Sequence, residues 1–232
     1  NPSLTGTLDM PPAIVGGIRG GITIRCPLRG SGAAGTQPDF GDLLKACAMV
    51  ETVTGSALGP EAATAGTVNT ATGGAAFAAT LQLYRGMPLL LTGDQTATTG
   101  IINYTAGKVM TIPDTRTALT VLTNLTIPIN VVYRPTSDDT VYKSVTIYCF
   151  RDGLRWKFIG CVGTWSLELT TAGLGFITFQ MTGQYVTMDA TALPTGWNTT
   201  VLQAPPRWVA GRSQILGGLA RARTAMFNFG IS

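Results

Sequence analysis

The residue types that most often carry out chemistry in proteins are sparse in this chain. It contains no histidine, which removes the commonest general base and the commonest metal ligand. Serine–histidine–aspartate and cysteine–histidine catalysis are therefore excluded within these 232 residues. The carboxylates are not clustered in the sequence. We expect no catalytic residues, no cofactor and no bound metal, and predict that the protein is not an enzyme.

Two patterns could still bind small ligands. Gly30-Ser-Gly-Ala-Ala-Gly35 matches the G-x-G-x-x-G dinucleotide fingerprint, follows a strand and precedes a helix. However, Pro38 and Asp39 place the helix start after the motif, so the pattern favours a flexible inter-subunit loop. Asp138-Asp139 and Asp152 could join a cation site, but each is a typical turn residue.

The cysteines predict neither a zinc site nor a redox pair, because none of the four lies in a C-x-x-C pair. Cys149 and Cys161 flank a probable two-residue turn at Asp152-Gly153. That turn would place Cys149 opposite Trp156 and Cys161 opposite Ser144, so the two thiols should not bridge. We predict buried free thiols, which suit assembly in a reducing cytoplasm.

The overall composition bounds the class of protein. Hydrophobic residues make up 45% of the chain and charged residues only 12%, about half the usual share. This fits a β-rich protein that buries surface against copies of itself, and equally a single β domain with a weakly charged surface. No apolar run reaches the length of a membrane helix, and residues 1–4 do not resemble a signal peptide. We therefore expect no membrane insertion of this chain.

The net charge is localised at one end of the chain. No acidic residue follows Asp189, and the four basic residues beyond it equal the formal net charge of +4. They are Arg207, Arg212, Arg221 and Arg223. This segment predicts either a surface that meets an acidic partner or four scattered, solvated arginines. It contains no K/R-rich block, so it does not indicate dedicated DNA recognition.

The first elements are a strand and a short helix. Residues 22–28 alternate and put Ile22, Ile24, Cys26 and Leu28 on one face. Asp39 has the residue type of a helix N-cap. After it, an apolar stripe at i, i+3, i+4 and i+7 predicts a helix that packs on a sheet, formed by Phe40, Leu43, Leu44 and Cys47.

The middle of the chain predicts an inserted unit. Residues 54–80 are rich in Ala, Gly and Thr with almost no charge, and their composition is typical of a linker or long loop. Short β segments separated by turn signals follow at 81–85, 88–91, 100–104 and 108–112. We therefore predict an inserted β module or long loop region over residues 58–127.

The clearest strands form a meander in the second half. Residues 144–150 and 154–159 flank the Asp-Gly turn, and Gly160-Cys-Val-Gly163 predicts a bulge. Residues 165–169 and 176–182 alternate, which predicts long antiparallel strands with one wet face. The core face would carry Trp165, Leu167, Leu169, Ile177, Phe179 and Met181. The segment 225–232 also alternates like a strand.

Three blocks in this order resemble the major tail tube proteins of long-tailed bacteriophages. The first joins Leu28-Arg-Gly-Ser-Gly-Ala-Ala-Gly-Thr-Gln-Pro38 to Leu43-Leu-Lys-Ala-Cys47. The second joins Val132-Tyr-Arg-Pro-Thr-Ser137, Ser144-Val-Thr-Ile-Tyr148 and the Asp-Gly hairpin. The third joins residues 160–169 to residues 176–185. The blocks cover about a fifth of the chain, between residues 28 and 185, and the stretch 58–127 departs from the family pattern.

The resemblance implies a mainly β fold of two packed antiparallel sheets, a tail-tube-type sandwich or barrel, with one short flanking helix. The tube domain would comprise residues 1–57 and 128–232, with residues 58–127 inserted. Such subunits form rings, usually of six, and the rings stack into a tube. The lumen conducts double-stranded DNA without sequence recognition and houses the tape-measure protein.

The same resemblance predicts two surfaces of the subunit. We expect the lumen to be lined by Thr164, Ser166, Glu168, Thr178, Gln180 and Thr182. We expect inter-subunit contacts at Arg29, Ser31, Arg207, Arg212, Arg221 and Arg223. Further partners would be the tail terminator and baseplate or distal tail proteins, and the location would be the virion tail, assembled in the host cytoplasm. Another virion component, such as a decoration or terminator-like protein, or a contractile-tail or secretion-type tube subunit, remains the alternative.

Overall fold

The computed structural model describes residues 17–195, 204–207, 211–215, 218–222 and 224–229, the last three ranges as backbone only. These residues form seventeen strands, one short α-helix and a 3₁₀ turn at Asp139–Val141. The predicted mainly β class, with antiparallel sheets and one short helix, is confirmed. The strands are distributed over five sheets rather than two, and no barrel closes within the described part of the chain.

The largest sheet contains the long strands of the second half of the chain. Its strand order is β1, β14, β13, β12, and β17 pairs with the far half of β13. The strands span Arg19–Pro27 (β1), Val145–Arg151 (β12), Leu154–Thr170 (β13), Phe176–Ala190 (β14) and Thr224–Phe229 (β17). This sheet contains the four segments that the sequence predicted as a meander, in β12, β13 and β14.

The hairpin between β12 and β13 has the predicted two-residue turn. Arg151 pairs with Leu154, and Asp152-Gly153 has positive φ angles of 52° and 78°. Two successive positive φ angles are the geometry of a type I′ turn, which an Asp-Gly pair adopts readily. Cys149 lies opposite Trp156, as predicted.

The predicted bulge is present in β13 and changes one predicted pairing. Gly160 has a φ of 59°, and the register with β14 shifts between Ile159 and Val162. Because of the extra residue, Cys161 pairs with Val145, so the prediction that it faces Ser144 is wrong by one position. All four cysteines are free thiols.

The first hydrophobic core lies between this sheet and the helix α1 (Gly41–Lys45). The alternating face of β13 and β14 and the apolar stripe around α1 meet there, as the sequence predicted. The buried members are Phe40, Leu44, Ala46, Cys47, Met49, Cys161, Ile177, Phe179 and Met181. Residues from β1, among them Ile22, Ile24 and Cys26, pack against them while half-buried.

The prediction that Asp39 caps the helix is wrong. Phe40 occupies the N-cap position, and no side chain caps the first turn. The Asp39 carboxylate instead accepts a hydrogen bond of 2.6 Å from the Arg29 guanidinium. The Asp39 carboxylate therefore forms an ion pair with Arg29, instead of the hydrogen bond to the backbone amides of the first helical turn that the sequence predicted.

A two-stranded ribbon leads from the first core to a second one. It pairs β2 (Met49–Thr54) with β11 (Asn130–Pro135). Neighbouring residues of β11 serve different cores: Tyr133 packs on the first, and Val132 packs on the second. The ribbon is therefore shared between the two clusters.

The second core lies between two four-stranded sheets. One has the order β3 (Leu58–Ala62), β10 (Thr123–Ile127), β6 (Pro88–Gly93), β7 (Ala97–Gly100). The other has the order β4 (Ala65–Gly66), β5 (Thr70–Thr72), β9 (Val109–Thr111), β8 (Asn103–Tyr104). Side chains from both sheets join one buried cluster that includes Ala71, Leu89, Leu91, Tyr104, Met110, Leu125 and Ile127.

Two expectations for this region are wrong. Residues 54–80 are not a linker, because they contain β3, β4 and β5 and bury Ala63, Ala71 and Phe77. Residues 81–85 form turns rather than a strand. In that turn Tyr84 packs edge-on against Tyr104, with ring centroids 4.9 Å apart. The segment at residues 81–85 therefore buries the Tyr84 ring from a turn, and not from the alternating face of a strand.

The segment after residue 204 adds a separate hairpin. It pairs β15 (Gly211–Ile215) with β16 (Gly218–Ala222). Each of these strands pairs with the other and with no further strand of the described residues. The final strand β17 agrees with the alternation predicted for the end of the chain.

Candidate functional site

The six residues predicted to line a lumen lie on one face of the largest sheet. Across β13 and β14, Thr164 pairs with Gln180 and Ser166 pairs with Thr178. Residues directly opposite on antiparallel strands share a face. The other face of the same strands carries the first core. Gln180 is exposed and the other three are half-buried, so this face is polar and solvent-accessible.

The same face continues onto β1. Thr23 pairs with Gln180, and Arg25 pairs with Thr178. The Arg25 guanidinium lies 3.3 Å from the Glu168 carboxylate and 4.0 Å from the centroid of the Phe176 ring. In this ion pair the charges of Arg25 and Glu168 offset each other. Arg19 pairs with Gln184 on the same face, is exposed, and forms no ion pair with a described residue. We call this surface the polar face. It is formed by residues 23 and 25 of β1, residues 164, 166 and 168 of β13, and residues 178, 180 and 182 of β14.

The sequence reasoning did not include Arg25 in this surface. Its signal was present, because Thr23 and Arg25 alternate with Ile22 and Ile24 in the first strand. What was missing was the pairing partner, since β1 reaches β14 across about 150 residues of chain. Only that pairing places Arg25 beside Glu168.

The edge of this sheet is open at β1. Backbone hydrogen bonds join Tyr185 N–H to Ile18 C=O and Leu28 N–H to Gly175 C=O, at 2.8 Å each. Even-numbered residues of β1 therefore bond to β14, because hydrogen-bonded pairs alternate along an antiparallel ladder. The odd-numbered residues direct their N–H and C=O groups away from the sheet. Within the described residues no strand pairs with that side of β1.

The far end of the sheet is held by a second ion pair. Arg155 on β13 donates from Nε and Nη2 to the Asp189 carboxylate on β14, at 3.0 and 2.6 Å. These bonds hold the pKa of the Asp189 carboxyl below its ordinary value, with a smaller contribution from Thr191. Arg155 also lies 5.4 Å from the centroid of the Tyr148 ring. This ion pair connects the last residues of β14 to the β12–β13 hairpin.

The predicted inter-subunit residues lie in different places. Arg29 forms its ion pair with Asp39, and the Ser31 hydroxyl donates to Ala33 C=O and Thr36 C=O within the glycine-rich loop. Both side chains are therefore used inside the loop. Arg207 is exposed and its backbone bridges to Leu174.

The remaining three arginines belong to the C-terminal hairpin region. Arg212 and Arg221 lie directly opposite each other in the register of β15 and β16. Arg223 lies outside the described residues. The sequence did not predict that two of these arginines face one another across a hairpin, since that depends on where the intervening turn is placed.

The sequence patterns that could have bound a nucleotide or a cation can be located in the structure. The helix begins at Gly41, well after the last glycine of the G-x-G-x-x-G motif, as predicted. Within the described residues no group of three cysteines and carboxylates is close enough to hold a metal ion. Of the helices in that part of the chain, none is long and apolar enough to cross a membrane.

Comparison of the chain with protein-family models, with curated proteins and with solved structures finds no match in any of the three. The arrangement of the polar face, the open edge and the charged hairpin therefore carries the functional argument.

Proposed function

We propose that the chain is a structural subunit of a bacteriophage tail tube. In this proposal copies assemble into rings, six to a ring, that stack into a tube in the virion. The lumen conducts double-stranded DNA and houses the tape-measure protein, and the ends meet terminator and baseplate or distal tail proteins. The observation that carries the proposal is a long antiparallel sheet with one face in the core and a run of hydroxyl and amide side chains on the other.

The chemistry of the polar face suits a wall along which DNA slides. Lysines and arginines that contact phosphates release counterions and grip nucleic acid strongly. On this face Arg25 is paired with Glu168, and Arg19 at the start of β1 is the one further arginine among the described residues. Hydroxyl and amide groups such as those of Thr178 and Gln180 hold water instead of phosphate. The face would therefore be wet, with low affinity for DNA.

The open edge of β1 supplies a route to assembly. An edge strand with free N–H and C=O groups is a template for pairing with another chain. The opposite edge of the sheet is formed by β12 and β17, so the two edges differ. Pairing of unlike edges is heterologous and closes into a ring when the rotation between copies permits it.

The first test is electron microscopy of the concentrated protein in negative stain. Wild-type protein is expected to form rings or hollow tubes. Thr23→Pro removes one N–H that points away from β14 and leaves the bonds between β1 and β14 in place. It is expected to block assembly, whereas the matched Thr23→Ala keeps that N–H and should assemble. Assembly of the Thr23→Pro variant would contradict edge pairing, and a wild-type protein that stays monomeric would contradict the tube.

A second test asks which face lines the lumen. Gln180→Cys places a thiol on the polar face, and Thr98→Cys places one on exposed β7. In monomers both should react equally with a maleimide carried on a large polymer. In tubes only Thr98→Cys should react, after subtraction of the native cysteines measured in wild type. Equal labelling of the two variants in tubes would place the polar face outside.

A further inference from the structure

The hairpin of β15 and β16 pairs two arginines at directly opposite backbone positions. Arg212 and Arg221 are register partners in this ribbon. Arginine keeps its charge at any pH a protein tolerates. Like charges directly opposite on paired strands destabilise the pairing, and an isolated two-stranded hairpin is marginally stable at best. A ribbon of this kind is stabilised when an acidic surface covers it.

No carboxylate of the hairpin region itself can supply that surface, because no acidic residue follows Asp189. Most described carboxylates elsewhere already have partners. Ion pairs with arginine or lysine engage Asp39, Asp42, Glu51, Asp152, Glu168 and Asp189. Glu61 accepts from two backbone amides, and Asp94 accepts from two threonine hydroxyls.

One place in the described chain offers two adjacent carboxylates without a cation. Asp138 and Asp139 lie at the 3₁₀ turn between β11 and β12, and both are exposed. Neither forms an ion pair with a described residue. Asp138 accepts hydrogen bonds from the N–H and the hydroxyl of Thr140, at 3.0 and 2.6 Å. These bonds lower the pKa of Asp138, so its carboxylate stays ionised at neutral pH.

We propose that the β15–β16 hairpin docks on the Asp138-Asp139 turn of a second copy of this chain. Two arginines at opposed register positions would meet two adjacent carboxylates. The two patches lie on different parts of the subunit, so the contact is heterologous and repeats from copy to copy. The inference rests on the proposed self-assembly and specifies which charges hold neighbouring subunits together.

The test uses two charge-reversed variants of the full chain. The hairpin variant carries Arg212→Glu and Arg221→Glu, and the turn variant carries Asp138→Lys and Asp139→Lys. Each is expected to raise the concentration needed for assembly about tenfold at low salt, with a smaller effect at high salt. Assembly is measured by sedimentation and by electron microscopy. The matched control, Asp114→Lys, changes an exposed carboxylate on another loop and should assemble as wild type.

Mixing decides whether the contact joins two copies. In an equimolar mixture every hairpin can meet a turn of opposite charge on the other variant, so assembly should return to the wild-type concentration. Restoration also shows that both variants are folded. If only the variant with all four changes in one chain assembles, the contact is intramolecular and the proposal is overturned.

The remaining outcomes also have defined meanings. If wild type assembles and neither variant is impaired, the docking is refuted while the tube proposal stands. If wild type stays monomeric at every concentration, both fail. If the hairpin variant assembles normally but loses retention of double-stranded DNA in a gel-shift assay, the arginines serve nucleic acid and the docking is again refuted.

Discussion

Arg134 is expected to hold the two cores of this protein together. It lies on β11, the strand that the two cores share. Its Nη1 donates to Gln82 C=O at 3.0 Å, with longer contacts to Leu83 C=O and Arg85 C=O at 3.4 and 3.5 Å. Its Nη2 donates to the Thr52 hydroxyl at 3.0 Å. The guanidinium thus fastens the turn at 81–86 to the ribbon.

The cost of losing this contact can be worked from the geometry. Arg134→Met keeps most of the apolar stem and removes every donor. A hydrogen bond involving a charged group contributes about 1.5–3 kcal/mol, and bonds near 3.5 Å add little. Two bonds at 3.0 Å on a half-buried side chain therefore give about 2–4 kcal/mol in the free energy of unfolding. With a urea dependence of about 1–3 kcal/mol per molar, the midpoint should fall by about 1–2 M.

The assay can follow each core separately. The described tryptophans, Trp156 and Trp165, lie in the largest sheet, whereas the second core contains Tyr84 and Tyr104 and no tryptophan. Fluorescence of these two tryptophans therefore reports the largest sheet. The tyrosine signal in near-ultraviolet circular dichroism reports both cores, because Tyr84 and Tyr104 lie in the second core and Tyr133 packs on the first. In Arg134→Met the part of the tyrosine signal that comes from Tyr84 and Tyr104 should be lost at lower urea than in wild type, before the tryptophan transition.

The control is Arg85→Met in the same turn. Arg85 is exposed and contributes only its backbone carbonyl to the contact, so its midpoint should stay within about 0.5 kcal/mol of wild type. A tyrosine-detected midpoint of Arg134→Met within about 0.3 M urea of wild type would refute the reasoning. It would mean that the ribbon joins the cores without this side chain.

Three further predictions concern single residues. Gly163→Ala would press a Cβ against a backbone carbonyl of β14 and should destabilise the protein by about 1–3 kcal/mol in urea melts. Gly21→Ala, whose Cβ would lie 4.0 Å from the nearest backbone oxygen, should cost less than about 0.5 kcal/mol. Threonine hydroxyls lower the pKa of the Asp94 carboxyl, so its contribution is present above about pH 3.9 and is lost as the pH falls through the lower folded value. Asp94→Asn should therefore lose less stability than wild type between pH 5 and pH 2 in thermal melts. Burial raises the pKa of the Cys47 thiol to about 11, so in native protein at pH 8 Cys47 should react with a thiol reagent more slowly than the half-buried Cys149; equal rates would contradict its burial.

Alternation and turn chemistry carried most of the prediction for the largest sheet. Ile177, Phe179 and Met181 are buried as their spacing indicates. The Asp-Gly pair predicted the hairpin because only a few residue pairs adopt two successive positive φ angles. These features depend on neighbours within a few residues, so they can be predicted from a single sequence.

The second core was much harder to read from the sequence. Its strands β4, β5 and β8 have two or three residues each, too short for any alternation to be recognised. Ala63 and Ala71 are small and are buried only because strands from distant parts of the chain cover them. A segment rich in Ala, Gly and Thr therefore looks like a linker until its partners are known.

By itself the sequence determined the mainly β class, the lack of histidine in these 232 residues, the faces of the long strands and the separation of charge along the chain. Tertiary structure decided which residues meet. Arg25 forms an ion pair with Glu168 on the polar face, and Asp39 forms an ion pair with Arg29 instead of capping the helix. Arg212 and Arg221 are register partners in the C-terminal hairpin. The reason is that residue type and short-range spacing determine on which face of a strand a side chain lies. Its charged partner is chosen by strand pairing and loop closure, which join residues far apart in the chain.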